Sequence, residues 1–403
     1  MSLLTQKIFL DNSYAKEVNA EIISKEFKNN KYLIKLNRTI FYPHLAGGQP
    51  RDRGTIEGIQ VLDVYEEGDD IIHVVNKDIN KRYVQLKIQW DHRFDLMQQH
   101  TGQHLLSSSF YRLFNVRTLG FHIGRDYIYI DIEKSNLLED EVRHVEYLSN
   151  KIIHSNFPIK TYFINQDRVD SIPLRGDVPK VENIRIVEID NIDYAACCGT
   201  HLSSTGEIGL IKIRRWERYK GNTRVEFVCG NRALDDYNWK SQYINELSSM
   251  LSTRDKDVLR RVKILSDQKE KLDKENRKLR EDIYQYKGEL FYKDIKTLNN
   301  INYIIKYIED TDLKEINFVA RYLSQKPNLI QIYGVNNKDV GQFLITRSQD
   351  LDIDLKAIFD NISINRDVRG GGSPQLIQGG TSISNLDAVI KSFYNHIRNY
   401  YQG

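Results

Sequence analysis

The chain has 403 residues, 40% of them hydrophobic and 28% charged, with a formal net charge of +3. That length exceeds what one ordinary core organises, and the composition excludes a disordered or fibrous chain. So small a net charge also excludes capture of a polyanion by a global basic field, so any nucleic-acid site has to be a local patch. Three cysteines, Cys197, Cys198 and Cys229, are too few and too odd in number for a disulfide framework, so a reducing, cytoplasmic setting is expected. No run of about 18 apolar residues predicts a membrane span, and the first ten residues lack the pattern of a signal peptide.

In chain order, Glu21–Phe27, Tyr32–Leu36, Gly58–Tyr65, Ile71–Val75 and Val84–Ile88 are short segments rich in Ile, Val and Tyr, punctuated by Asn, Gly and Asp. Such spacing predicts a small β-barrel over residues 1–90. The stretch from Thr39 to Gly54 breaks the pattern with glycines and prolines, and predicts a shaped, exposed loop. Asp95–Phe114 reads as a helix, Tyr127–Ile132 as a strand, Glu139–Ser155 as a second helix, and Ile184–Ile189 and Ile208–Ile213 as strands. Residues 91–240 are therefore expected to form an α+β domain.

From Tyr243 to Leu290 apolar residues recur every seven positions, at Leu251, Val258, Leu265, Leu272, Leu279 and Tyr286. A companion seam of Leu247, Val262, Ile283 and Leu290 is interrupted by Asp255, Lys269 and Asn276. This predicts a helical coiled-coil arm over 241–295, read most simply as intramolecular, with a homodimer zipper as the alternative. Residues 296–403 mix strands (Tyr303–Ile308, Leu329–Gly334, Gln342–Thr346) with helices, then a glycine-rich segment before a last helix from Ser384. They predict a separate α/β domain.

The chemistry concentrates in two short motifs. His100-Thr-Gly-Gln-His104 sets two imidazoles one helical turn apart on one face. Cys197-Cys-Gly-Thr-His201 offers a thiol and a third imidazole from a tight turn. Each pair alone is commonplace, but together they supply three nitrogens and one sulfur, a set that suits zinc. Arg214, Arg215, Arg218, Lys220 and Arg224 form a local basic cluster fit for phosphates, or an ordinary solvated surface. His92 and His122 read as hydrogen-bonded structural histidines, and Cys229 as core.

Met97–Ser107 and Cys197–His201 closely resemble the paired metal motifs of alanyl-tRNA editing proteins and of the editing domain of alanyl-tRNA synthetase. Ser204–Ile213 and Lys220–Leu234 are similar to the strands that follow in that family, and Phe41–Ile56 to its glycine-rich barrel loop. Arg369–Gly380 resembles the glycine-rich signature of the C-terminal domain shared by alanyl-tRNA synthetase and DHH-type phosphoesterases. The likeness spans nearly the whole chain and implies the long, three-part form of the editing protein. There are two departures. The barrel loop is one residue longer, with His44, Leu45 and Ala46 between Pro43 and Gly47, and Cys198 stands where glycine is usual. Which cysteine ligates is left open, with the spacing favouring Cys197.

The resemblance implies hydrolysis of mischarged alanine tRNA, with serine as the main target and glycine as a second, and a zinc ion on His100, His104, Cys197 and His201. It aligns Thr118 with a threonine that senses the serine hydroxyl, and it places Gln49, with Gly47 and Gly48, near the pocket or the tRNA end. For the C-terminal domain it implies tRNA contact or assembly, including a homodimer. Two rivals stand beside it: an editing hydrolase of threonyl type, which uses similar motifs, and a non-catalytic tRNA-binding scaffold with a structural zinc.

Overall fold

The structure is a computed structural model that describes residues 4–44, 48–125, 127–337, 340–364 and 367–402. Leu45, Ala46 and Gly47 of the glycine-rich loop lie outside the described residues. The chain divides into two compact units, Met1–Met250 and Leu251–Gly403.

The first unit begins with six strands, β1 (Glu17–Lys28), β2 (Lys31–Leu36), β3 (Gly54–Ile56), β4 (Ile59–Glu67), β5 (Asp70–Val75) and β6 (Tyr83–Ile88), which close into a barrel in the order β1-β2-β5-β4-β3-β6. Alternation sets its interior: in β6, Val84, Leu86 and Ile88 point inward while their neighbours face water. The loop from Ile40 to Arg53 is tied to the next element by a buried ion pair. Arg93 Nε donates to Asp52 Oδ1 at 2.8 Å, Arg93 Nη2 also reaches Asp52 Oδ2, and the same guanidinium donates to the carbonyls of Ser13 and Ile40.

Helix α1 (Trp90–Phe114) is the axis of the unit. Every residue from Leu96 to Phe110 is buried, polar ones included, so this central stretch of the helix has no wet face. Its glutamines and serines are satisfied internally: Gln99 exchanges two hydrogen bonds with the backbone of Cys229, and Gln98 donates to the Glu207 carbonyl. Gly102 lets the helix approach its neighbour, since a Cβ there would lie 2.3 Å from Cys229 Sγ. Around α1 are packed β7 (Thr118–Ile123), β8 (Ile128–Ile132), α2 (Glu139–Ser155), β9 (Ile159–Asn165), β10 (Asn183–Ile189), β11 (Asp193–Ala196), β12 (Ile211–Tyr219), β13 (Asn222–Cys229) and α3 (Gly230–Met250). They form a four-stranded antiparallel sheet, β12-β13-β8-β7, and a three-stranded one, β9-β10-β11. The β12–β13 hairpin turns at Lys220 and Gly221, both at positive φ, as a two-residue hairpin turn requires.

The second unit opens with α4 (Val258–Tyr292), whose C-terminal turns pack on the sheet domain while Leu272 and Leu279 stay 63% and 55% exposed. The continuous arm expected from Tyr243 to Leu290 is instead two helices, α3 and α4. The chain leaves helix at Leu251, and Ser252 takes a left-handed φ of 46°. The seven-residue rhythm runs through this break because it records which positions are apolar, not whether backbone hydrogen bonding continues.

Beyond α4 follow β14 (Lys296–Leu298), β15 (Ile301–Glu309), α5 (Leu313–Leu323), β16 (Leu329–Asn337), β17 (Val340–Arg347), α6 (Leu355–Ile364), β18 (Arg369–Ser373), β19 (Leu376–Thr381) and α7 (Ile383–Tyr400). The sheet order is β14-β15-β16-β17-β19-β18. The glycine-rich segment is an edge hairpin, with Gly370 paired to Gly379. A Cβ on Gly370 would stand 2.4 Å from the Gln378 carbonyl oxygen, so this hairpin has no room for a side chain there.

Candidate metal centre

Two elements meet at the centre. α1 carries His100 and His104 on one face, and the turn after β11 brings Cys197 and His201 against them. One ligand atom from each of the four lies within 4.8 Å of all the others. Cys197 Sγ is 3.4 Å from both His100 Nε2 and His201 Nε2. Cys198 is exposed and outside the cluster, so Cys197 is the sulfur donor the fold presents.

The outer ring atoms are held by specific partners. Gln49 Nε2 donates to Thr200 Oγ1 at 2.8 Å, and Thr200 N donates back to Gln49 Oε1 at 3.1 Å. That fixes the amide, so His100 Nδ1, 2.9 Å from Gln49 Oε1, must carry the hydrogen and leave Nε2 with its lone pair. His201 Nδ1 faces Thr101 Oγ1 at 3.4 Å. His104 Nδ1 is buried without a hydrogen bond, 3.8 Å from Asp193 Oδ2. Asp193 is itself clamped by Arg175, whose Nε and Nη2 donate at 2.6 and 2.9 Å.

Protonation states match a cation site. Burial alone would push the Cys197 thiol up, but the His100 and His201 imidazoles outweigh it and hold the thiol well below its ordinary value. Burial, with the neighbouring His100, drives His201 down to about 3. At His104 burial opposes charge, yet Asp193 and Cys197 raise its pKa; a cation in the cluster takes over the attraction that otherwise retains that proton. Three imidazoles and one thiolate, with the outer nitrogens of His100 and His201 facing specific partners, fit a tetrahedral site for a borderline-soft ion.

The cluster faces a cavity of about 620 Å³, lined by His100, His104, Cys197, Thr118, Phe121 and Arg175 among others. Thr118, at the start of β7, donates its hydroxyl to Ser107 Oγ at 2.8 Å, and Ser107 also accepts from Gln103. Gln49 does not line the cavity; it is wholly buried behind His100, which makes it a positioning residue. Gly48 sits at φ +81°, against Phe121.

The five basic candidates all fall on the β12–β13 hairpin, but three are engaged. Arg224 makes a two-pronged pair with Asp131, Arg215 pairs with Glu226 at 2.7 Å, and Arg214 lies 3.4 Å from Glu226 and 3.5 Å from Asp236. Arg218 and Lys220 are exposed near the hairpin end. His92 Nε2 meets the Arg51 carbonyl, and His122 lies on the outer side of the sheet, stacked on Tyr129. The sequence reading missed Asp193, Arg175, Thr101 and Ser107. Only Thr101 and Ser107 lay inside a quoted motif, and nothing in the Asp193 neighbourhood of the sequence marks it as a partner of a histidine 89 positions earlier.

Comparison with known proteins agrees with this geometry. A family model described as the threonyl and alanyl tRNA synthetase second additional domain matches residues 184–226, which include the Cys197–His201 turn. The alanyl-tRNA editing protein AlaX-L of Pyrococcus horikoshii is 30% identical over 98% of this chain and 100% of its own length. The alanyl-tRNA editing protein Aarsd1 of Danio rerio is 30% identical over 83% of this chain and 82% of its own. The alanine–tRNA ligase of Ignicoccus hospitalis is 32% identical over 79% of this chain but only 36% of its own length. With a cluster that could hold a metal assembled in three dimensions and likeness running end to end, this chain belongs to the alanyl-tRNA editing protein family.

Proposed function

We propose that the protein hydrolyses the ester joining a wrongly attached amino acid to alanine tRNA, serine first and glycine second, with zinc held by His100, His104, Cys197 and His201. The observation that carries this is the four-donor cluster opening onto a cavity of about 620 Å³, a volume suited to an aminoacylated nucleoside. Bound there, zinc would supply positive charge for the ester carbonyl or for the substrate's amino group. The chain's own groups do the rest. Gln49 fixes the His100 ring, Asp193 faces the outer nitrogen of His104, and Phe121 walls the cavity beside the imidazoles.

Thr118 is the selector. Its hydrogen is given to Ser107, so its oxygen is left to accept from a substrate hydroxyl. Serine supplies that donor and alanine does not, so correct alanyl-tRNA loses a hydrogen bond at the wall. Changing Thr118→Val should shrink the preference for seryl over alanyl ester by roughly 2- to 12-fold, the worth of one net hydrogen bond. Initial rates on the two substrates read this directly, and an unchanged ratio removes Thr118 from the account.

The decisive experiment offers purified protein a panel of charged tRNAs. Serine should be released from mischarged alanine tRNA, and dialysis against a chelator should abolish release until zinc is returned. A metal-loaded protein inert on every substrate would favour a scaffold with a structural zinc. Faster release of serine from threonine tRNA than from alanine tRNA would favour the threonyl-type specificity.

A further inference from the structure

We propose that the outward face of the β12-β13-β8-β7 sheet is a stacking platform that holds unpaired nucleobases of an RNA strand whose 3′ end enters the metal-centre cavity. This rests on the reading of the substrate as tRNA, whose acceptor end is single-stranded.

The inner face of this sheet is closed by α1 and α2: Ile128, Ile130, Val225 and Phe227 are fully buried in the core. The alternate residues on the outer face should be small or charged for a merely solvated sheet. Among charged residues such as Asp131, Arg215 and Glu226, this face also carries a column of planar groups running across the strands. His122 of β7 stacks on Tyr129 of β8 with centroids 5.3 Å apart, and Tyr127 stacks on Tyr129 at 6.1 Å and 18°. The Arg224 guanidinium of β13 lies 3.7 Å from the Tyr129 ring centre and 3.8 Å from that of Tyr219 on β12, sandwiched between them.

Asp131 clamps Arg224 in this plane with bonds of 2.7 and 2.8 Å. Arg224 is thus a rigid spacer in the column and is not available as a phosphate ligand. The column is held in place by its own stacking and cation–π contacts, so the flat groups at its exposed end stand pre-ordered for a base.

The column ends in two shallow depressions that share Tyr127, which is 47% exposed. One, of about 140 Å³, runs between Tyr127, Tyr129 and Arg224; the other, of about 420 Å³, reaches Arg215, Trp239 and Lys240. Trp239 is 45% exposed. Aromatic faces alternate with three cationic groups, those of Arg214, Arg215 and Lys240, each also paired with a carboxylate. This is the chemistry that receives a base on a ring and its phosphate on a cation, with stacking dominant and charge secondary. Strand β7 connects the two places: Thr118 to Phe121 line the cavity, and His122 begins the platform. Four residues of strand span roughly 13 Å, so a strand leaving the cavity along β7 meets the column at once.

The test uses the full chain and a fluorescently labelled, unacylated single-stranded RNA oligonucleotide, with affinity read by anisotropy. Tyr127→Ala should weaken binding by roughly 5- to 150-fold, the cost of one lost base–aromatic stack. Tyr127→Phe should bind like the parent, because the ring alone is needed, and Trp239→Ala should weaken binding as well. Thermal melting checks that each variant folds, and a variant that does not is replaced in the argument by the other. With three lining cations, Arg214, Arg215 and Lys240, each already paired with a carboxylate, the log–log slope of affinity against salt should be shallow, no steeper than about −2.

Equal affinity of Tyr127→Ala and Trp239→Ala to the parent, or equal binding of duplex RNA of the same composition, overturns the platform. Absence of any single-stranded RNA binding by the parent also overturns it and leaves the face to a protein partner. Failure of the proposed hydrolysis shows separately, as an inability of the parent to release serine from a 3′-seryl adenosine, which is too short to reach the column.

Discussion

Replacing Gly199 by alanine should cost the protein its metal and its hydrolytic activity together. A Cβ at this position would lie 2.1 Å from His100 Cε1 and 2.4 Å from its Nδ1, and 3.2 Å from Gln49 Oε1. Neither neighbour can yield without leaving its place in the site. His100 is wholly buried on α1, and Gln49 is pinned by two bonds to Thr200. The ring must therefore swing out, breaking the Gln49 bond that fixes its tautomer and withdrawing Nε2 from Cys197. Loss of an outer partner alone typically costs 10- to 100-fold in metal affinity, and displacement of the ligand itself costs more. Zinc content after gel filtration should fall well below one per chain, and deacylation should fall by at least about 100-fold. Cys198→Ala is the matched control, since that thiol is exposed and outside the cluster, and it should keep its zinc. Stoichiometric zinc with normal rates in Gly199→Ala would refute the assigned geometry.

The second large effect is on stability. Asp52→Ala should destabilise the first unit by about 3–5 kcal/mol, because it strands a buried guanidinium. Arg93 is wholly buried, and among the described residues Asp52 is its one carboxylate partner; two carbonyls, those of Ser13 and Ile40, would remain but cannot balance its charge. That loss is a large part of the roughly 5–15 kcal/mol that holds an ordinary domain folded. Urea unfolding of parent and variant measures it. The double variant Asp52→Leu with Arg93→Met should lose less than the sum of the two single changes, since neither charge is then left alone. A loss below about 1 kcal/mol for Asp52→Ala would show that water reaches the pair, and the clamp between barrel loop and α1 would have to be withdrawn.

Much of this protein is written locally. The alternation of Val84, Leu86 and Ile88 marks a strand because period two is a property of neighbouring residues, and Glu139–Ser155 is bounded as a helix for the same reason. His100 and His104 declare a shared face by their spacing alone. The family likeness of the two metal motifs was likewise legible, because each motif is a contiguous run whose shape depends on its own turn and glycine. The break between α3 and α4 was not legible, since the apolar rhythm continues across it while the backbone turns at Ser252.

What the sequence by itself determined is most of the elements, the family, and the two pairs of candidate metal donors; each rests on residues within a few positions of one another. Only the tertiary structure decided that Cys197 rather than Cys198 turns inward, that Gln49 stands behind His100, and that Asp193 faces His104. It also decided that Arg224 is spent between two tyrosines. Those facts join residues about 50 to 100 positions apart, and no local preference encodes such a meeting. It arises because the central stretch of α1 is buried on every side, so the cores of two sheets and a barrel loop must all close against one helix.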